Sequence, residues 1–119
     1  MATDSTLLMM QLGKYTVVEF QTASLMDPVE IETISRRLQV LVDEEDHRWV
    51  LLDMTRVEYI SSQFIGILVS LHKKITALGH GKLVLCGVGP RLTELLKITQ
   101  LDRLLTIKAS QSEAMSSNR

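Results

Sequence analysis

Trp49-Val50-Leu51-Leu52 are apolar without a break. A strand with one face in water alternates apolar and polar residues, whereas a strand covered on both faces reads as a continuous apolar run. The run therefore predicts a central strand of a parallel sheet, and such a sheet needs helices to cover it. Leu83-Val84-Leu85-Cys86 supplies a second run of the same kind.

Helical stripes flank these runs. Ile31, Ile34, Leu38 and Leu41 recur at intervals of three and four, while Glu32, Arg36, Arg37 and Gln39 fall largely elsewhere around the axis. Ahead of them, Asp27-Pro28-Val29-Glu30 offers an N-cap acceptor, a proline whose missing N–H costs nothing at the first helical position, and a carboxylate at the third. Phe64, Leu68, Leu71, Ile75 and Leu78 form a second stripe, with Ser61 or Ser62 as its natural N-cap and Gly79 placed to stop it. Gly89-Pro90 opens a third helix through Leu92, Leu95 and Leu96, with Ile98 as a further candidate for its apolar stripe.

At the N-terminal side, the runs Leu7 to Leu12 and Tyr15 to Phe20 are separated by Gly13-Lys14. Gly at the first of two loop positions suits a type II′ hairpin turn. An acidic surface turn is expected at 43–46, and a last short strand or turn over 104–107. The segment 109–119 is polar apart from Ala114 and Met115 and is expected as a weak terminal helix or a frayed tail. The fold class expected is α/β: one domain over 1–119 with its core at 7–107. It has a mixed central sheet of about four to five strands, an N-terminal β-hairpin, and three to four helices packed mainly on one face.

Composition narrows the function. Thirteen basic and 14 acidic residues leave a net charge of −1, and neither sign is gathered into a block that would neutralise phosphates, so nucleic acid is not an expected partner. Cys86 is the only cysteine, which rules out an intrachain disulfide and any C-x-x-C redox or zinc motif. No metal and no cofactor is expected. No apolar run approaches the roughly 18 residues of a membrane span, and the first residues lack the pattern of a secretory signal. A cytoplasmic location with no membrane partner is the expectation.

Chemistry concentrates where the strand at residues 49–53 runs through a loop into the second helix. A helix N-terminus presents unpaired N–H groups and partial positive charge, so a phosphate on Ser62 would be held favourably. The same charge would repel an acidic partner surface and block close docking, which makes a switch without catalysis. Ser61 and Thr55 are secondary acceptors in the same stretch. The plain alternative is that Ser62 only caps the helix. Asp53 reads as a strand-end residue that orders the loop. An enzyme is not expected, because His47, His72 and His80 lie in unrelated places and nothing pairs a nucleophile with a base. Cys86 reads as a buried small hydrophobe. His72, Lys73, Lys74, His80 and Lys82 read as a solvated basic face.

Ser61-Ser62-Gln63-Phe64-Ile65-Gly66, the hairpin, the Leu25-Met26-Asp27 helix entry and the segment Lys82 to Leu92 together resemble STAS domains, the anti-sigma factor antagonist family. In that family a strand ending in Asp leads through a loop to Asp-Ser-(Ser/Thr)-Gly-Leu-Gly and a helix. Here Ser61 stands at the family Asp, Phe64 at the first Gly and Gly66 at the second. Both departures are expected to alter the surface presented to a kinase.

The resemblance implies a non-enzymatic regulator whose serine, matching Ser62, is phosphorylated by an anti-sigma factor that is also a serine kinase. The expected partner surface comprises Asp27, Ser61, Ser62, Gln63, Phe64 and Gly66, and the expected partner is such a kinase or another STAS protein. A homodimer stays open. The alternative keeps the fold without phosphorylation, as a scaffold or sensor that binds another STAS protein or a small ligand. A phosphate-accepting receiver domain, suggested by Val50-Leu51-Leu52-Asp53, is set aside because no acidic pair ends the first strand to hold Mg²⁺, the chain opens with a hairpin, and no Lys-Pro follows a late strand.

Overall fold

The computed structural model describes residues 7–43, 49–79 and 81–117. Most of the acidic turn expected at 43–46, together with His47 and His80, lies outside these residues.

The hairpin forms as β1 (Leu7–Leu12) and β2 (Tyr15–Phe20), antiparallel with Leu12 opposite Tyr15. Gly13 turns the chain at φ +60°, a conformation open to glycine without strain. β2 then pairs in parallel with β4 (Trp49–Asp53), β4 with β6 (Lys82–Cys86), and β6 with β7 (Thr106–Lys108), giving one mixed five-stranded sheet in the order β1-β2-β4-β6-β7. Val50, Leu51 and Leu52 are wholly buried, as an apolar run with both faces covered requires.

Alternate strand residues face opposite sides. Val18, Phe20, Val50, Leu52, Leu83 and Leu85 meet α1 (Pro28–Asp43), α2 (Ser62–Ala77) and α3 (Pro90–Ile98) in the main core. Ile31, Ile34 and Leu38 of α1 and Phe64, Leu68 and Leu71 of α2 fill it completely buried. On the far face Tyr15, Val17, Leu51, Val84 and Cys86 form a smaller cluster under α4 (Gln111–Ser117). Three helices thus gather on one face and the fourth closes the other.

The C-terminal segment settles the choice between helix and frayed tail. Gln111–Ser117 is helical because Ala114 is buried against the sheet at 1% exposure and Glu113 Oε1 accepts from the Ala109 amide at 2.6 Å. The short strand or turn expected over 104–107 resolves into a strand that begins at Thr106, because a 3₁₀ turn occupies Leu101–Arg103 and leaves Leu104 half exposed. Within the basic face, Lys74 Nζ reaches Asp43 Oδ2 at 2.7 Å and also donates to Gln39, tying α2 to α1, while Lys73 stays exposed.

Candidate functional site

Two short strands set α1 and α2 side by side. β3 (Ser24–Leu25) pairs in parallel with β5 (Tyr59–Ile60), and each runs directly into a helix. The Glu58 and Tyr59 amides donate to Ala23 O at 2.7 and 3.1 Å, and the Ser61 amide donates to Leu25 O at 3.0 Å. Gln63 Nε2 then reaches Pro28 O at 3.5 Å, bridging the two helix starts.

Each start has its own cap. Asp27 Oδ2 accepts from the Glu30 amide at 3.3 Å and Asp27 O from the Ile31 amide at 2.9 Å, with Pro28 first in the helix. At α2 the cap is Ser61, whose backbone is extended (φ −91°, ψ 167°) and whose hydroxyl accepts from the Phe64 amide at 3.3 Å. Ser62 is therefore not the cap. It is the first helical residue, exposed, with no side-chain hydrogen bond to any described residue.

Phe64, expected on the partner surface, is wholly buried and stacks edge-on against Phe20 with ring centroids 5.6 Å apart. Its position three residues after the cap points it into the core. Gly66 is exposed, and a Cβ added there would meet nothing within 4 Å, so packing inside this chain does not call for glycine. Ser62 and Gly66 lie four residues apart and so share one helical face.

Upstream, Asp53 orders the loop. Its Oδ1 accepts from the Thr55 amide at 2.9 Å and from the Thr55 hydroxyl, while Oδ2 accepts from Gln111 Nε2 at 2.6 Å. Burial pushes the Asp53 carboxyl up, but these hydrogen bonds outweigh it and hold the group below its ordinary value. Gln111 Nε2 also reaches Glu19 Oε2 at 2.9 Å, so one amide joins α4 to two strand ends. The Thr55 hydroxyl is thus engaged, and it sits where a side chain on Gly87 would fall, 2.3 Å from a Cβ built there. Of the three candidate acceptors, Ser62 alone has a hydroxyl free of described partners.

Apolar side chains ring the helix starts. Met26 is 51% exposed, Val29 74%, Tyr59 45% and Ile98 70%. Met26, Tyr59, Ile60, Leu95 and Ile98 line a groove of about 310 Å³ to which Glu58, Arg91 and Glu94 contribute charge. The Arg91 guanidinium lies 4.8 Å over the Tyr59 ring. Large apolar residues exposed together mark interaction surfaces more often than chance placement does.

The sequence profile of the STAS domain family matches residues 12–114. The chain belongs to the STAS domain family. It is 35% identical over 66 residues to an anti-sigma factor antagonist homologue of Thermotoga neapolitana, a match covering 56% of this chain and 58% of that relative. The fold superposes with a TM-score of 0.82 on a STAS domain protein of Planctomyces limnophilus at 26% identity, covering 93% of this chain and 95% of the other. It superposes at 0.74 on the Bacillus cell fate determinant SpoIIAA in its phosphorylated form, at 15% identity and 95% and 99% coverage.

Within the STAS pattern the two departures differ in effect, and only the Phe64 change departs from expectation. Ser61 stands at a position of Asp, but both are preferred N-caps, so the cap survives while a charge is removed. The Phe64 ring enters the core and adds nothing to the surface. Sequence reading missed the β3–β5 pairing and the apolar groove. Two-residue strands carry no periodicity, and Met26, Tyr59 and Ile98 come from three elements that only tertiary structure brings together.

Proposed function

We propose that this STAS domain works as an anti-sigma factor antagonist-like regulator. It docks an anti-sigma factor with serine kinase activity on the face where α1 and α2 begin, and phosphorylation of Ser62 ends the complex. The observation that carries this reading is the division of labour between adjacent serines: Ser61 supplies the cap, so the Ser62 hydroxyl remains exposed and without a described partner. The apolar residues around the helix starts offer a docked protein area to bury, and exposed Gly66 lets its backbone approach α2 closely.

In the transfer, the partner's bound ATP gives its γ-phosphoryl group to Ser62 Oγ. An O–P bond forms at serine, the bond to the leaving ADP breaks, and the hydroxyl proton passes to solvent. The product carries about −1.5 to −2 charges at the positive end of α2, where the first backbone N–H groups stabilise it. That charge and its water repel a docked acidic surface.

The test is mass spectrometry of protein purified from its own host under growth and stress, with binding to the co-purifying kinase measured for Ser62→Ala and Ser62→Asp. Phosphate on Ser62, with binding kept by the alanine variant and lost by the aspartate variant, supports the switch. No phosphate under any condition with full peptide coverage, or equal binding by both variants, leaves a scaffold in its place.

A further inference from the structure

The two edges of the sheet are built unlike each other. β7 is a three-residue strand ending in Lys108, so it exposes little unpaired backbone and carries a charge. β1 is six residues long, Leu-Leu-Met-Met-Gln-Leu, with no charged residue and no proline, and it pairs residue for residue with β2 without a bulge. Its outer side has no strand against it among the described residues. Soluble proteins normally protect such an edge with charge, proline, a bulge or a cover, because its free N–H and C=O groups recruit another strand.

Leu8, Met10 and Leu12 stand opposite Glu19, Val17 and Tyr15 and share their face, so the stripe extends the apolar layer on the α4 side. Leu8 is 49% and Leu12 39% exposed, an unusual amount of aliphatic surface for a free edge. The stripe is also symmetric about Met10. An antiparallel pairing of two β1 strands centred there places Leu8 against the second copy's Leu12 and Met10 against its own counterpart. Directly opposed antiparallel residues share a face. A two-fold axis perpendicular to the sheet therefore keeps all six apolar side chains on one side and joins two five-stranded sheets into one. Gln11 does not oppose this, since its amide is already bonded to Gly13 O at 3.2 Å and its carbonyl accepts from Thr16 Oγ1 at 2.9 Å.

We infer that β1 is a homodimer interface, in which a second copy of this chain pairs antiparallel with it in the register centred on Met10. The self-complementary stripe and the lack of any charged residue within β1 point to a second copy rather than an unrelated strand, and the Arg37 guanidinium, 3.7 Å from Met9 Sδ, stands on the opposite, α1 side of the sheet. The helix starts at Asp27 and Ser61 are not part of the contact, so each protomer keeps its Ser62 face.

Sedimentation equilibrium of the full chain at concentrations reaching about 1 mM reads the association directly. The wild type is expected to shift from monomer to dimer mass, and the double variant Leu8→Lys/Leu12→Lys, which sets like charges across the interface at exposed positions, is expected to stay monomeric with an unchanged circular dichroism spectrum. Register is read by mild oxidation of single-cysteine additions. Met10→Cys brings its two copies within disulfide range and should cross-link, whereas Gln11→Cys leaves them beyond about 7 Å and should not. A monomer at every concentration, a dimer that survives the lysine pair, or equal cross-linking at both positions would overturn the inference.

Discussion

The Ser61 hydroxyl accepts the Phe64 amide at 3.3 Å and so caps α2, while Ser62, next in the chain, begins the helix with its own hydroxyl exposed. One serine holds the helix start, and its neighbour takes no part in the cap. Replacing a capping serine by alanine costs about 1 kcal/mol, whereas a surface change away from such contacts stays within about 0.5 kcal/mol. Urea unfolding should therefore show Ser61→Ala clearly destabilised and Ser62→Ala near wild type. The reverse ranking would mean that Ser62 is the cap after all.

Two glycines should respond in opposite directions. Gly66 lies inside α2 with open space where a Cβ would go, so Gly66→Ala should stabilise the fold by up to about 1 kcal/mol. Gly87 has φ +68° and a Cβ there would fall 2.3 Å from Thr55 Oγ1, so Gly87→Ala should destabilise it through strain and a displaced loop. If Gly66→Ala gains stability yet weakens partner binding, the glycine serves the docked surface.

Acid should loosen the junction of β4 and α4. The Asp53 carboxyl is held below its unfolded value of about 3.9, so the stability it contributes is fully present above that pH and is lost as pH falls through the folded value. Asp53→Asn should lower stability at neutral pH and flatten its decline below about pH 4. Unfolding midpoints from pH 7 to 3 for both proteins would show it, and parallel curves would remove Asp53 from the acid response.

Cys86 should be inert in the folded protein. Burial, with the Asp53 and Glu19 carboxylates adding to it, pushes its thiol up to about 12, and the side chain is 1% exposed. Reaction with a thiol reagent at neutral pH should wait for unfolding and accelerate in urea. Rapid labelling of native protein would show that α4 leaves the sheet readily.

A large part of this molecule is legible along the chain. The unbroken run at Trp49 to Leu52 declared a strand covered on both faces, the stripe at Ile31, Ile34 and Leu38 declared a helix on a sheet, and Asp27-Pro28 marked that helix's first turn. These features are local: period, cap and turn chemistry act over a few residues, so neighbours in sequence suffice to reveal them. The serine pair was visible as well, but which serine caps depends on where the helix begins, and sequence patterns place boundaries poorly.

Tertiary structure decided what distant segments do together. Only the parallel contact of Ser24–Leu25 with Tyr59–Ile60 brings the starts of α1 and α2 abreast. Phe64, which the sequence put both in the apolar stripe and on the partner surface, belongs to the stripe alone, because Phe20, on another element, packs edge-on against it. The polar C-terminal segment became a helix because Ala114 finds the sheet and Gln111 finds Glu19 and Asp53. A polar seven-residue segment gains too little from its own backbone to stay helical alone. The chain's pattern determined its elements, and burial against remote partners determined which faces were left for function.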